Sequence, residues 1–238
     1  MHSPYDLDLD TSCQDCKLRS PGFFCQLRPA ALKALDGVRH TIAYPKGAVL
    51  FLEGQAPRGV FILCKGRVKL SINSSAGKTI ILRLSEPGEA LGMQSTISGN
   101  AYQASAETIE PCQVSFVRRD DFLRFLRQNA EASIRAAEQV SSNYHIACDQ
   151  IRSLGLAHSA PQKLARFLLE WAARGKQTPD GARATLALTH EEIGQIIGAS
   201  RETVTRTLGA LKKEELVSLH GSTLTVRSKA ALESFAGC

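Results

Sequence analysis

The 238-residue sequence contains no run of about 18 consecutive apolar residues, which is the length that a membrane-spanning helix needs. It begins with MHSPYDLDLD, which is acidic and lacks the basic start and apolar stretch of a secretion signal. The motifs of common enzymes are missing as well: there is no P-loop, no Gly-x-Ser-x-Gly and no His-Glu-x-x-His. These absences predict a cytoplasmic protein that is not an enzyme and has no membrane partner.

The composition is that of a globular protein with a moderate excess of positive charge. Hydrophobic residues make up 43% of the chain and charged residues 22%, and the formal net charge is +6. The excess of basic residues favours polyanionic partners. The chain has seven cysteines, and in a reducing compartment these are better suited to metal binding or redox chemistry than to disulfides.

Short apolar runs dominate the first half of the chain. Residues 1–28 are polar and carry three cysteines, whereas residues 29–118 contain strand-length runs separated by turn residues: VFILC, VKLSI and TIILRL. Strands at intervals of roughly ten residues are typical of a sandwich, barrel or jelly roll. We therefore predict an α+β protein with a sandwich, barrel or jelly-roll domain over residues 29–118.

The spacing of the apolar residues changes near Arg119. No proline and no glycine occurs between Asp120 and Leu154, so residues 119–156 are predicted to form one long helix. Apolar side chains recur along it at steps of three and four and form a narrow seam: Ile134, Ala137, Val140, Tyr144, Ala147, Ile151 and Leu154. The seam favours packing against the same helix of a second copy in a homodimer, and packing against its own domain is the alternative.

The last predicted domain, residues 157–238, begins in a hinge over residues 155–161. Thr189 is predicted to cap a helix and to form a capping box with Glu192. The predicted order is a helix over 162–174, a loop, a strand over 185–188, a helix from 189 to 197, a turn at 198–200, a second helix, and a hairpin around Gly221-Ser222. This order is typical of a winged helix-turn-helix.

The second helix of this motif has a polar face that is suited to reading DNA bases. Its predicted patch consists of four residues: Arg201, Glu202, Thr205 and Arg206. Arginine offers two donors that match O6 and N7 of guanine, and glutamate can accept from cytosine N4. Three residues are suited to phosphates: Ser200, Lys212 and Lys213. A solvated charged face is the alternative, but the flanking capped helix, turn and hairpin favour double-stranded DNA as the partner.

The stretch THEEIGQIIGASRETVTRTLGALKKEELV, residues 189–217, closely resembles the helix-turn-helix of the CRP/FNR superfamily of bacterial transcription regulators. The resemblance implies a β-roll (jelly-roll, cyclic-nucleotide-binding-like) sensor domain, a dimerisation helix, and a DNA-binding domain that acts as a homodimer on a palindromic site. It also implies RNA polymerase as a partner. The pattern Arg-Glu-x-x-x-Arg resembles the CRP type, so the implied half-site is nearer TGTGA than TTGAT. A regulatory β-roll subunit of another protein would lack this DNA-reading helix.

Three cysteines of the N-terminal segment have the spacing C-x2-C-x8-C: Cys13, Cys16 and Cys25. A two-residue gap lets two thiolates reach one metal centre. The three are similar to the N-terminal cysteines of FNR proteins, which hold an oxygen-labile [4Fe-4S] cluster with a fourth, central cysteine. The resemblance implies that Cys112, in EPCQVSF, is this fourth ligand. The gap before the third cysteine is longer here than in the FNR pattern.

Other roles for the cysteines stay open at this point: a structural zinc site, a thiol redox switch, or no shared function. Cys64 is predicted to be a core residue and Cys148 a core or interface residue, whereas Cys238 is unassigned. A haem with His2 or His40 as ligand is a further alternative that nothing local supports.

A cyclic nucleotide is the other effector that the superfamily suggests. Gly88-Glu89 opens PGEALGMQSTISGNAYQASA, which corresponds to the phosphate loop of nucleotide binders. Met93 stands where a binder has glutamate, and Gln103 stands where a binder has arginine. Because a phosphate buried without a positive partner is costly, the sequence argues against a cyclic nucleotide.

Overall fold

The computed structural model describes residues 5, 7, 12–14, 16, 24–155, 159–179 and 181–237. His2, the centre of the predicted hinge and Cys238 therefore lie outside the described residues. The chain divides into two compact units, Met1–Ala147 and Cys148–Cys238, and the division falls inside a helix rather than at the predicted hinge. The two units are described separately.

The first unit contains the predicted β-roll. Its strands are β1 Arg39–Tyr44, β2 Val49–Phe51, β3 Gly59–Lys65, β4 Val68–Asn73, β5 Thr79–Ser85, β6 Ala90–Leu91, β7 Ser105–Thr108 and β8 Cys112–Arg118. They form two antiparallel sheets, with the orders β1-β8-β3-β6 and β2-β7-β4-β5. The runs VFILC, VKLSI and TIILRL lie in β3, β4 and β5, and the predicted fold class is confirmed.

The helices that begin in the first unit are α1 Pro29–Asp36, α2 Met93–Ser98, α3 Arg119–Gln128 and α4 Ala130–Gly155. The single helix predicted over 119–156 is thus observed as two, because Asn129 leaves the helical backbone with φ −130° and ψ 90°. The side-chain amide of Asn129 donates to the carbonyl of Phe125 at 2.9 Å and satisfies the end of α3. An asparagine that competes locally with the helix backbone can end a helix without proline or glycine.

Two apolar clusters lie on opposite faces of the β1-β8-β3-β6 sheet. The inner cluster lies between the two sheets and includes Phe61, Leu63 and Val114. The outer cluster lies between this sheet and α1, α3 and α4, and it includes Val60 and Ile62. Since successive side chains of a strand point to opposite faces, neighbouring residues of β3 belong to different clusters.

The second unit is a winged helix-turn-helix. Its elements are α5 Ala160–Ala173, β9 Lys176–Thr178, β10 Gly181–Thr185, α6 His190–Ile197, α7 Arg201–Lys213, β11 Val217–His220, β12 Thr223–Val226 and α8 Lys229–Ala236. The sheet order is β11-β12-β10-β9. The predicted loop before residue 185 is therefore the hairpin β9-β10, and the predicted strand over 185–188 is wrong. Pairing with β12, which is distant in sequence, places the strand at Gly181–Thr185 rather than at 185–188.

Among the helices of the described residues, none has both the length and the apolar character that crossing a membrane requires.

Candidate functional site

The helix-turn-helix consists of α6 and α7, and side-chain caps start both helices. Thr189 Oγ1 accepts from the Glu192 N–H at 3.1 Å, and the Glu192 carboxylate accepts from the Thr189 N–H at 2.9 Å. Ser200 Oγ accepts from the Thr203 N–H at 3.2 Å. Gly198 ends α6 with φ +69°, a left-handed conformation that favours glycine. The predicted capping box and turn are present, and together they fix where α7 begins.

The helix α7, which we call the recognition helix, has one buried and one exposed face. Its buried residues are Val204, Thr207, Leu208 and Leu211. The residues predicted to contact DNA are all exposed: Ser200, Arg201, Glu202, Thr205, Arg206, Lys212 and Lys213. The two faces are thus arranged as the sequence predicts, and contact of these residues with DNA stays a prediction.

Glu202 and Thr205, the two residues of the patch that are not arginines, both form hydrogen bonds with neighbouring groups. The hydrogen bond of Glu202 with its own backbone N–H, followed by that from the Ser200 side chain, holds the pKa of the Glu202 carboxyl below its usual range. Thr205 Oγ1 lies 2.8 Å from Nδ1 of His190 on α6 and donates to the carbonyl of Arg201 at 2.9 Å. His190 is a contact that sequence reasoning missed, because it depends on the approach of two helices.

Four cysteines line one pocket on the outer face of the β1-β8-β3-β6 sheet: Cys13, Cys16, Cys25 and Cys64. All four are thiols. Other lining residues include Phe24, Leu35, Arg39, Ile62, Gln113 and Ser115. We call this site the thiol pocket. Its cavity volume is about 30 Å³, which is room for only about one or two water molecules.

Asp36 and Arg39 hold the backbone of Cys13 against the roll. Both carboxylate oxygens of Asp36 accept from the Cys13 N–H at 3.0 Å, and Oδ1 accepts from Arg39 Nε at 2.6 Å. Arg39 Nη1 donates to Thr41 Oγ1 and to Ser115 Oγ, each at 2.7 Å. Burial raises the pKa of Asp36, but the hydrogen bond from the Cys13 N–H and the interactions with Arg39 outweigh it and lower this pKa. The pair is therefore ionised at neutral pH.

Burial disfavours the thiolate form of two thiols of this pocket, Cys13 and Cys64. Burial raises the pKa of the Cys13 thiol to about 12. Burial also raises the pKa of Cys64, against the opposing effects of the Ser115 hydroxyl and Arg39. A protonated thiol is a poor nucleophile, whereas binding of a metal centre displaces the proton.

Cys112, which the family resemblance implies as the fourth ligand, does not line the thiol pocket. It is fully buried in the inner cluster, and its Sγ donates to the carbonyls of Arg67 at 3.3 Å and Glu110 at 3.2 Å. Its neighbour Gln113 faces the pocket, so Cys112 faces away from it. Cys64, which the sequence places in the core, lines the pocket instead.

The donor set of the thiol pocket, four cysteine thiols, is of the type that holds a [4Fe-4S] cluster or a zinc ion. Four cysteine thiolates are the ligands of a [4Fe-4S] cluster, and they surround it rather than meet at one point. Within the described ranges, no three His, Cys, Asp or Glu side chains are arranged to hold a metal ion. A zinc site requires such convergence, with Zn–S distances of about 2.3 Å. The thiols thus match a cluster in number and chemistry, although the cavity must widen to admit one.

The predicted dimer seam of α4 is largely exposed. Ile134, Tyr144 and Ile151 are 61%, 68% and 69% exposed, which is high for such large apolar side chains. Ala137 and Ala147 are also exposed, whereas Val140 and Leu154 are half-buried. A different face of α4 packs on the roll through Ala132, Ala136 and Gln139. An apolar stripe left open beside a packed face is typical of a protein–protein contact.

Side chains fill the interior of the roll beside the loop that resembles a nucleotide-binding loop. Met93 is fully buried in the outer cluster, outside the interior of the roll. Tyr102 stacks on Phe51 with ring centroids 4.1 Å apart, and its hydroxyl donates to the carbonyl of Gly59 at 2.8 Å. The carboxylate of Glu89 forms an ion pair with the guanidinium of Arg83 and accepts from the Glu86 N–H at 3.0 Å. Glu89, the loop glutamate, therefore already has a cationic partner within the chain.

Comparison with known proteins identifies the family. Residues 41–129 match the cyclic nucleotide-binding domain, and residues 162–235 match the Crp-like helix-turn-helix domain. Together with the β-roll, the long helix and the winged domain, these matches show that the chain belongs to the CRP/FNR family of DNA-binding transcription regulators.

The chain matches known transcription regulators over most of their length. The chain is 27% identical over 210 residues to the CRP-like cAMP-activated global transcriptional regulator of Mycobacterium tuberculosis, covering 88% of this chain and 93% of that protein. It is 29% identical over 204 residues to the transcriptional activatory protein AadR of Rhodopseudomonas palustris, covering 85% and 83%. The structure of FixK2 from Bradyrhizobium japonicum shares the fold, with a TM-score of 0.73 and 23% identity over 83% of this chain and 97% of that chain.

Proposed function

We propose that this regulator binds a palindromic promoter site as a homodimer and senses oxygen, nitric oxide or redox state through a [4Fe-4S] cluster. Cys13, Cys16 and Cys25 would hold the cluster together with one thiol of the roll. The observation that carries this proposal is the placement of these three cysteines around one thiol-lined pocket. When bound, the cluster supplies a centre that oxygen or nitric oxide can degrade.

The outer cluster gives a physical route from the thiol pocket to the dimer seam. Phe24 and Leu35 line the pocket and also belong to the outer cluster, which includes Ala132 and Ala136 of α4. The Gln139 amide bonds the backbone of β6 at Ala90, at 2.8 and 3.1 Å. Widening of the pocket on cluster binding would change the packing under α4. Such an effector shifts a population only because it binds one packing better than the other.

The recognition helix supplies the DNA contacts in this proposal. Arg201 and Arg206 would donate to guanine, and Glu202 would accept from cytosine, which favours a half-site nearer TGTGA than TTGAT. Ser200, Lys212 and Lys213 would contact phosphates. A dimer holds its two recognition helices about 34 Å apart, in successive major grooves. RNA polymerase is the proposed protein partner at the promoter.

The cAMP activation of the Mycobacterium relative is not proposed for this chain. Met93 and Gln103 replace the acidic and basic residues that a nucleotide binder of this superfamily carries, and Glu89 is paired with Arg83. The ring stack of Tyr102 on Phe51 fills the adjacent interior. A cyclic phosphate would therefore lose its hydration without gaining a positive partner.

Anaerobic purification of the full chain tests the cluster directly. We expect about four iron and four sulfide per chain, the content of one [4Fe-4S] cluster, and a visible absorption that bleaches in air. A colourless protein that holds one zinc, or no metal under strictly anaerobic reconstitution, would overturn the iron–sulfur proposal. Selection of binding sites from random DNA tests the half-site, and a selected site without guanine in either half would contradict it.

A further inference from the structure

We infer that the fourth thiol facing the N-terminal cysteines is Cys64 of β3 rather than Cys112 of β8. This inference rests on the proposed function for the identity of the bound group. The grouping of the four thiols rests on the fold alone, so the assignment of Cys64 and the proposed iron–sulfur function can fail separately.

The alternation of side chains along β3 and β8 separates the two candidate cysteines. On β8, Gln113 and Ser115 line the thiol pocket, whereas Cys112 belongs to the inner cluster. On β3, Ile62 and Cys64 line the pocket, whereas Leu63 belongs to the inner cluster. Cys64 and Cys112 therefore lie on opposite faces of one sheet, and only the face of Cys64 carries the N-terminal cysteines.

A local irregularity of β3 accompanies the placement of Cys64. Leu63 pairs with Val114 and Lys65 pairs with Gln113, so Cys64 is an extra residue in the ladder. A bulge of this kind re-aims a side chain and is common beside functional sites. The Sγ of Cys64 lies 3.4 Å from Ser115 Oγ, which also accepts from Arg39. Cys64 is thus held within the same group of side chains that anchors Cys13 through Asp36.

Cys112 would need a large rearrangement to reach the same pocket. Its Sγ already donates to two backbone carbonyls, and a Cβ added at Gly66 would lie 2.6 Å from it, which shows how closely the chain packs there. A one-residue slip of β8 would turn Cys112 to the other face, but such a slip exchanges the faces of every side chain in the strand. The slip would turn Val114 out of the inner cluster and disrupt pairing with both β1 and β3.

Arg39 gives this face of the sheet a charge that suits bound thiolates. Its side chain is only 3% exposed, and Asp36 is its ion-pair partner. A centre with four thiolates carries net negative charge, and a buried guanidinium beside it offsets part of the cost of burying that charge. Arg39 lines the same pocket as Cys64.

The test compares iron loading of three full-length variants after anaerobic reconstitution with ferrous iron and sulfide. Cys64→Ala is expected to lose most of its iron, sulfide and visible absorption. Cys112→Val, which keeps an apolar side chain in the inner cluster, and Cys148→Ala, a control on α4, are expected to keep the wild-type content. Circular dichroism melting verifies that each variant folds. Full loading of Cys64→Ala, or loss of iron from a folded Cys112→Val, would overturn the assignment.

A metal-independent measurement separates this inference from the proposed function. Native, iron-free protein is treated with diamide, and its disulfides are mapped by mass spectrometry after digestion with trypsin. Cys64 and Cys112 fall in different tryptic peptides, 59–65 and 84–118. We expect disulfides from Cys64 to Cys13, Cys16 or Cys25. Finding them in a wild-type protein that binds no iron would support the four-thiol pocket and reject the cluster, whereas disulfides to Cys112 alone would reject the pocket assignment.

Discussion

Arg206 and Lys213 are both exposed on the recognition helix, yet they are expected to contribute differently to DNA binding. Arg206 lies in the patch that would meet base edges, whereas Lys213 lies in the last turn, where it suits a phosphate. We predict that Arg206→Ala weakens binding by about 1–3 kcal/mol on the specific site and less on random DNA. Lys213→Ala is the control and should weaken both alike. Fluorescence anisotropy with both DNAs measures this, and an equal loss for Arg206→Ala would make Arg206 a phosphate contact.

Asp36 offers a residue-scale prediction with a defined pH dependence. Its carboxylate binds the Cys13 N–H and Arg39, and its pKa in the folded protein is lowered. The ionised form therefore stabilises the fold above the unfolded pKa of about 3.9, and this contribution is lost as pH falls through the lower, folded pKa. We predict that Asp36→Asn lowers the free energy of unfolding at pH 7 by about 1–3 kcal/mol.

Urea denaturation at a series of pH values measures the effect of Asp36→Asn. The difference from wild type should be constant between pH 7 and 5 and should shrink below about pH 4. Asp149→Asn is the control, because Asp149 pairs with Arg152 at the surface, where both side chains are at least 70% exposed. A difference for Asp36→Asn that persists unchanged at low pH would show that packing, and not charge, stabilises this contact.

At the scale of elements, α4 presents its seam to solvent while its other face packs on the roll. We predict that Ile134→Asp and Ile151→Asp each shift the protein from dimer to monomer, because a charge is then buried in an apolar contact. His145→Asp adds the same side chain at an exposed position of α4 outside the seam and should leave the dimer intact. Sedimentation velocity measures the change. A dimer that survives both isoleucine substitutions would place the interface elsewhere.

The turn between α6 and the recognition helix depends on the close approach of two backbone segments. A Cβ at Gly194 would lie 2.5 Å from the carbonyl oxygen of Ala199, whereas a Cβ at Gly209 meets nothing within 4 Å. We predict that Gly194→Ala destabilises the chain by about 1–3 kcal/mol through this clash. Gly209→Ala should instead stabilise it by up to about 1 kcal/mol, through higher helix propensity. Thermal unfolding followed by circular dichroism distinguishes the two; a neutral Gly194→Ala would show that the turn can relax.

At the scale of the whole molecule, the proposed function requires that the state of the thiol pocket changes the affinity of the DNA-binding domain for its site. We predict that the anaerobic, iron-loaded protein loses affinity for its selected site on exposure to air. The Cys13→Ala variant should bind weakly in both conditions. Electrophoretic mobility shifts under nitrogen and air measure this, and equal binding by loaded and air-exposed wild type would contradict the coupling. Added cyclic AMP should change neither result, because the guanidinium of Arg83 is already paired with the carboxylate of Glu89.

The sequence by itself determined the helix-turn-helix, because its determinants are local. Thr189, Glu192, Gly198 and Ser200 act on backbone groups within four residues of themselves, so their pattern can be read without the rest of the fold. The spacing of apolar and polar residues likewise determined the strands of the roll and the exposed stripe of α4. The C-x2-C-x8-C pattern pointed to a shared role for three cysteines, although not to the fourth.

Only the tertiary structure decided the contacts between distant segments. The run VFILC is apolar throughout, so its sequence does not show which side chains face the inner or outer cluster. Pairing with β8 and the bulge after Leu63 turn Cys64 to the N-terminal cysteines, while the same pairing turns Cys112 away. The β9-β10 hairpin is polar and is recognisable only from its pairing with β12. A strand has two faces, and its neighbours in space, rather than its neighbours in sequence, determine what each face contacts.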